Sequence, residues 1–214
     1  MSEPRAVLFD FDGTLAPNLD LPDMRRRVLE LTAAHAVPEA VYADRYIVEV
    51  ITAAEAWLEA QARDGAGYAE AAHALITDIE MTEAAQTDPF PGVTDLLGEL
   101  RAREYRLGVV TRNCRAAVLT VFPGLLEVVD DLRARDDVVH LKPDVRHLEA
   151  CLHTLGVAPV AATMVGDGAL DMHSGRELGM HCVGVLTGSS NHARLAEAGA
   201  HAILPDVLSL SDTL

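Results

Sequence analysis

Two aspartates near the start of the chain, Asp10 and Asp12, are the side chains best suited to chemistry. They follow a short apolar run, residues 6–9, which predicts a buried parallel strand. Strand alternation would send the two carboxylates to opposite faces, so a shared site requires a turn just past Asp10, for which Gly13 gives the freedom. Two carboxylates so close repel each other unless one is protonated or a cation lies nearby. The pair therefore predicts a divalent metal site, or a nucleophile beside an acid.

Polar side chains also follow two further apolar runs, at residues 107–110 and 163–165. Thr111 and Asn113 come after the first run, and Asp167 comes just after the second. Parallel strands place their carboxyl ends on one edge of the sheet, where open α/β sheets bind their ligands. We therefore expect these groups to converge with the two aspartates.

Lys142 precedes a proline that stiffens its loop, and we expect its ammonium group at the same edge. The pocket would then hold one positive charge and the four carboxylates of Asp10, Asp12, Asp167 and Asp171. A hard cation offsets this excess, and Mg²⁺ is the usual choice where carboxylates and a phosphate share a site. Hydroxyl groups and backbone N–H groups in the turns would offer further donors to a phosphate dianion.

The elements that must position these groups alternate between strands and helices, which predicts an α/β fold with a doubly wound, Rossmann-like parallel sheet. Candidate strands lie at residues 6–9, 107–110, 138–140, 163–165, 182–186 and 202–204. Candidate helices between them lie near residues 93–103, 115–121, 125–129, 145–155, 172–178 and 190–198. Half of the residues are hydrophobic and only 4% are aromatic, which suits helices packed on such a sheet.

Residues 18–88 show helical spacing without strand-like alternation, which predicts an all-helical domain inserted into the sheet domain. The sheet domain would then comprise residues 1–17 and 89–214. Three helices are expected in the insertion, the first ending near residues 35–38 and the third around residues 72–79. Apolar positions between Val41 and Leu58 predict one long second helix.

The composition excludes several other classes of protein. A formal net charge of −16 argues against a nucleic-acid partner, because phosphate binding along a duplex needs a basic surface. The N-terminus lacks a secretory signal, and no apolar run reaches the length of a membrane span. We therefore expect a cytoplasmic protein without a membrane partner, and the sequence leaves its oligomeric state open.

Cysteine and histidine spacing indicates no structural metal or disulfide framework. The three cysteines, Cys114, Cys151 and Cys182, lack CxxC spacing, and the nine histidines fall in no HxH or HExxH pattern. A redox role for Cys114 stays open, because a helix N-terminus can lower the pKa of a thiol.

The motifs together resemble the haloacid dehalogenase superfamily, specifically its phosphoglycolate-phosphatase-like phosphatases with a helical cap. Four family motifs occur in order: residues 10–14 (DFDGT), Thr111, Lys142 with its proline, and residues 166–171 (GDGALD). The FPGV of residues 90–93 and the LTG of residues 186–188 add to a resemblance that covers nearly the whole chain.

The resemblance implies Mg²⁺-dependent cleavage of a phosphate monoester of a small metabolite through an aspartyl-phosphate. Asp10 would be the nucleophile, and Asp12 the acid and then the base. The metal site would comprise Asp10, Asp12 through its main-chain carbonyl, Asp167 and Asp171. Asp171 would orient Lys142 or a metal-bound water. The residues expected to contact the substrate are Gly13, Thr14, Thr111, Arg112, Asn113 and Lys142, of which Thr111 and Lys142 would hold the transferring phosphoryl group.

Other functions of the same fold stay open at this point. Family dehalogenases lack an acid at the position of Asp12, so its presence favours phosphoryl chemistry. A phosphosugar mutase would use the same intermediate, and a non-catalytic protein could keep the fold and bind a phosphorylated metabolite. Residues 16–18 (APN) depart from the acid and serine common in phosphoglycolate phosphatases, which leaves the substrate open.

Overall fold

A computed structural model describes residues 5–213 of the chain. The chain divides into two compact units, which we call the sheet unit (Met1–Leu19 and Ala84–Leu214) and the helical unit (Asp20–Glu83). Among residues 5–213, no helix combines the length and the apolar character that a membrane span requires.

The helical unit contains no strand, and all of its residues are described. It is built from α1 (Leu21–Ala34), α2 (Ile47–Ala60) and α3 (Gly65–Ala84), the last of which runs to the unit's boundary. The prediction of one long second helix from Val41 is wrong, because α2 begins only at Ile47. The guanidinium group of Arg25 donates to the carbonyls of Ala43 and Arg45, at 2.9 and 2.5 Å. These bonds attach the segment that contains the turn at residues 42–44 to α1.

The sheet unit contains six parallel strands in the order β3-β2-β1-β4-β5-β6. They are β1 (Arg5–Phe9), β2 (Tyr105–Val110), β3 (Asp131–Arg133), β4 (Ala162–Gly166), β5 (His181–Val185) and β6 (Ala202–Leu204). The chain winds outward in one direction from β1 to β3 and in the other from β4 to β6. The predicted doubly wound α/β fold is therefore confirmed, with its switch point between β1 and β4.

Helices connect these strands, and their apolar faces pack on the sheet. They are α4 (Val93–Ala102), α5 (Arg115–Val121), α6 (Leu125–Val128), α7 (Arg146–Leu155), α8 (Ala169–Glu177) and α9 (His192–Glu197). A cluster of buried side chains from α7, α8 and α9 covers one face of β1, β4 and β5. The sulfur atoms of Cys151 and Cys182 lie in this cluster, and burial raises the pKa of both thiols, that of Cys182 to about 11.

One predicted strand is wrong. Residues 138–140 are not in a strand, and Val139 is 90% exposed. The third strand of the sheet is instead β3, in which Leu132 is buried between the charged residues Asp131 and Arg133. An edge strand of three residues with two charges offers no apolar run for the sequence pattern to reveal.

The register of the central strands aligns their carboxyl ends. Phe9 at the end of β1 pairs with Val109 of β2 and with Val165 of β4. The segments that follow these strands, beginning at Asp10 and Thr111 and including Asp167, therefore leave the sheet along one edge.

Candidate active site

Asp10 lies directly after β1, at the edge where the strands end. Its main-chain N–H donates to the carbonyl of Val165 at 2.8 Å, which fixes the residue beside the end of β4. Its Oδ1 accepts the N–H of Phe11 at 2.7 Å. The chain then turns with Gly13 at a φ of 74°, a left-handed conformation that glycine adopts without steric penalty. The turn expected just past Asp10 is therefore present.

The ammonium group of Lys142 lies between two carboxylates. Its Nζ is 3.0 Å from Oδ1 of Asp10 and 2.6 Å from Oδ1 of Asp171, and the lysine side chain is only 2% exposed. Burial alone would lower the pKa of Lys142, but the two carboxylates outweigh burial and raise the pKa above its usual value. The lysine is therefore charged at neutral pH and places a positive charge directly beside Asp10.

A third carboxylate, that of Asp167, lies close to the other two. One oxygen from each of Asp10, Asp167 and Asp171 lies within 4.8 Å of the others. Burial, and then the charge of Asp171, raise the pKa of Asp10 to about 6, although Lys142 opposes them. Burial also raises the pKa values of Asp167 and Asp171. Buried carboxylates that repel one another suit a hard divalent cation with oxygen ligands, so this donor set fits Mg²⁺.

Glycines let the carboxylates lie against the backbone. A Cβ atom on Gly188 would lie 2.0 Å from Oδ2 of Asp167, and one on Gly166 would lie 2.4 Å from Cγ of Asp171. Any other residue at either position would therefore displace the carboxylate. The main-chain N–H and the hydroxyl of Ser189 donate to the same Oδ2 of Asp167, at 2.5 and 2.8 Å.

The carboxylate of Asp12 has a different set of neighbours. The side-chain amide of Asn113 donates to its Oδ1 and Oδ2 at 3.1 and 3.2 Å, and the hydroxyl of Thr111 lies 3.5 Å from Oδ2. The amide oxygen of Asn113 accepts the N–H of Cys114 at 2.8 Å, which fixes which end of the amide faces Asp12. Metal binding by the main-chain carbonyl of Asp12 stays a prediction.

Two of the residues predicted to contact substrate have other surroundings. Thr14 is fully buried, and its hydroxyl has no hydrogen-bond partner within residues 5–213. The guanidinium group of Arg112 donates to the main-chain carbonyl of Lys142. The structure thus brings Asp10, Asp167, Asp171 and Lys142 together, and it places Thr111 and Asn113 beside Asp12.

Sequence reasoning missed three residues that support the site: Ser189, Asn18 and His147. The side chain of Asn18 hydrogen-bonds Asp167, and His147 accepts the main-chain N–H of Lys142. Asn18 lies in the segment where the chain departs from the phosphoglycolate phosphatase pattern, and Ser189 follows an LTG segment that belongs to the family resemblance. The sequence pattern around Asn18 and Ser189 therefore pointed to the site, whereas nothing in the sequence around His147 did.

Comparison with known proteins agrees with this geometry. A match to the family described as "Haloacid dehalogenase-like hydrolase" covers residues 7–185. A phosphoglycolate phosphatase from Rhodospirillum rubrum is 32% identical over 226 residues, which include 99% of this chain and 91% of the relative.

Solved structures show the same fold. A hydrolase from Pseudomonas syringae is 20% identical with a TM-score of 0.72, and the match covers 97% of this chain and 96% of that one. A beta-phosphoglucomutase from Clostridium difficile is 17% identical with a TM-score of 0.69, covering 97% and 93%. The sequence motifs, the doubly wound sheet and these matches agree, and the chain belongs to the haloacid dehalogenase-like hydrolase family.

Proposed function

We propose that the protein is a Mg²⁺-dependent phosphatase that cleaves a phosphate monoester of a small metabolite by transferring the phosphoryl group to Asp10. The observation that carries this proposal is the 3.0 Å contact between Lys142 Nζ and Asp10 Oδ1. A buried ammonium group at that place can attract a phosphate dianion to the carboxylate that attacks it. The phosphatase relative at 32% identity supports the same reaction class.

The side chains supply both halves of the reaction. In the first half, a carboxylate oxygen of Asp10 forms a bond to phosphorus, and the bond from phosphorus to the ester oxygen breaks. Asp12 gives a proton to that leaving oxygen. In the second half, Asp12 takes a proton from a water molecule, whose oxygen attacks phosphorus and releases Asp10 as a free carboxylate. Lys142 and Thr111 hold the phosphoryl oxygens throughout.

We assign the metal to Asp10, Asp167 and the main-chain carbonyl of Asp12, with Asp171 orienting Lys142 beside it. When bound, Mg²⁺ would offset the charge of the carboxylates and of the phosphoryl oxygens. Ser189 and Asn18 hold Asp167 in place for this role.

The helical unit is inserted in the sequence between the turn after β1 and α4, and we propose that it is the cap of the enzyme. Such a cap would keep bulk water from Asp10 during attack and would select the substrate. We place the protein in the cytoplasm, and we choose phosphoglycolate as the first substrate to test because it is the substrate in the names of curated relatives.

A phosphosugar mutase is the second candidate, since the fold is shared with a beta-phosphoglucomutase. A mutase returns the phosphoryl group to a sugar, whereas a phosphatase releases it to water. Incubation with a hexose phosphate and Mg²⁺ separates the two, because a mutase yields an isomerised sugar phosphate and little inorganic phosphate.

The direct test is release of inorganic phosphate from phosphoglycolate and from a panel of phosphorylated metabolites, with Mg²⁺ and with EDTA. We expect Asp10→Asn to abolish turnover while the protein stays folded. Asp95→Asn, on the exposed side of α4, is the matched control and should keep full activity. Turnover by Asp10→Asn equal to that of the wild type would refute the assignment.

A further inference from the structure

The carbonyl oxygen of Arg133, at the end of β3, binds two segments that carry residues of the phosphate site. It accepts the main-chain N–H of Thr111 at 3.0 Å. It also lies 3.1 Å from Nε2 of His147, in the first turn of α7. One backbone oxygen therefore joins the end of β2 to the beginning of α7.

The other ring nitrogen of His147 faces Lys142. Nδ1 of His147 lies 3.2 Å from the main-chain nitrogen of Lys142. A main-chain N–H can only donate and a carbonyl can only accept, so Nδ1 must be the acceptor and Nε2 must carry the hydrogen. The contacts thus specify one neutral tautomer of a ring that is completely buried.

We propose that His147 is a positioning residue of the phosphate site: its neutral ring links the backbone of Lys142 to the carbonyl that also binds Thr111. The inference rests on the proposed function, in which these two residues hold the transferring phosphoryl group. The ring thereby sets the distance between the two backbone segments from which the ammonium and hydroxyl groups extend.

The surroundings of His147 keep the ring in the required state. Burial, and then the charge of Lys142, lower the pKa of His147 to about 3. Protonation of Nδ1 would place an N–H against the N–H of Lys142 and break the link. An apolar residue of similar size would fill the space but would leave that buried N–H without this acceptor.

Three variants separate the two hydrogen bonds. His147→Asn places an amide oxygen near the position of Nδ1 and keeps an acceptor for Lys142. His147→Gln places its amide near the position of Nε2 and keeps a donor for Arg133 but no acceptor for Lys142. His147→Leu keeps neither bond.

The experiment combines phosphate release with hydrogen exchange of the Lys142 amide, both in Mg²⁺. We expect His147→Gln and His147→Leu to lose on the order of tenfold or more in kcat, since a displacement of about 1 Å at the site can cost that much. His147→Asn keeps the bond to Lys142 but loses the bond to Arg133, so it should also lose kcat, at an equal or lower Tm. The Lys142 amide should be protected from exchange in the wild type and in His147→Asn, and should exchange faster in the other two variants.

Several results would overturn the inference. These are a wild-type kcat in the Asn or the Gln variant, a loss of kcat that follows Tm across all three variants, or a Lys142 amide that exchanges alike in every variant. If the wild type releases no phosphate from any ester, the proposed function fails. The exchange data and the ¹⁵N signals of the His147 ring, which report its tautomer, then decide the link by themselves.

Discussion

Asn113 donates its side-chain amide to both carboxylate oxygens of Asp12, at 3.1 and 3.2 Å, while its own amide oxygen is held by the N–H of Cys114. The carboxylate assigned as acid and base is thus oriented by a neighbour with a fixed direction. Asn113 was predicted to contact substrate, and these bonds give it a second role in the same site, which is to orient the carboxylate of Asp12.

We expect Asn113→Ala to lower kcat by about tenfold to a hundredfold on an alkyl phosphate, because a misaligned acid protonates a poor leaving group slowly. An aryl phosphate with a good leaving group needs less protonation, so the loss there should be smaller. The measurement is kcat for both esters in wild type and variant. An equal loss on both would mean that Asn113 does not act through Asp12.

Removal of Mg²⁺ should lower thermal stability as well as activity. The clustered carboxylates of Asp10, Asp167 and Asp171 repel one another, and a cation that binds only the folded state stabilises it by about 2.7 kcal/mol at a hundred times its Kd. Thermal unfolding with Mg²⁺ or with EDTA measures the shift in Tm. Asp167→Asn should reduce that shift strongly, and an unchanged shift would remove Asp167 from the metal site.

Gly188→Ala should weaken Mg²⁺ binding, since its Cβ would lie 2.0 Å from an oxygen of Asp167. We expect the Mg²⁺ concentration at half-maximal activity to rise by about tenfold or more. Gly98→Ala in α4 is the matched control, because a Cβ there meets nothing within 4 Å. If both variants need the same Mg²⁺ concentration, the contact with Gly188 does not set the position of Asp167.

As the pH falls, the free energy of unfolding should decrease more steeply for the wild type than for His147→Asn. The pKa of His147 is about 3 in the folded protein and near 6.5 in the unfolded chain, so the folded state binds fewer protons between these values. The stabilisation from this residue is therefore complete above pH 6.5 and is lost as pH falls toward 3, by about 1.4 kcal/mol per pH unit.

Urea unfolding of both proteins at several pH values between 7 and 4 isolates this contribution. Carboxylates elsewhere titrate alike in the two proteins, so their contributions cancel in the difference between the two free energies of unfolding. The charged groups that act on His147 are Lys142 and Arg112, which lower its pKa, and Asp137, which raises it. Parallel curves for the two proteins would show that the ring is not held neutral.

The sequence was sufficient for the fold class and for the motif residues at the strand ends. Asp10, Thr111 and Asp167 each follow an apolar strand, and parallel pairing brings such positions to one edge. The family matches confirm the superfamily and the phosphatase class. The roles of single residues in catalysis and metal binding stay predictions.

Other features could not be predicted because they depend on contacts between distant parts of the chain. Leu132 is the only apolar residue of β3, so the strand is defined by its pairing with β2 and not by its composition. His147 lies 14 residues from Arg133, and nothing in their spacing indicates that the ring reaches that carbonyl. The bonds from Ser189 to Asp167 likewise span 22 residues.

β3 is the edge strand beside β2, and it contacts the segments of the phosphate site through a backbone atom, the carbonyl oxygen of Arg133. Other residues could therefore be substituted for Asp131 and Arg133 while that oxygen stays in place. Sliding β3 by a single position against β2 would be far more damaging, because successive carbonyls of a strand point in opposite directions. Insertions or deletions in the segment between α6 and β3 should accordingly harm catalysis more than point substitutions within the strand.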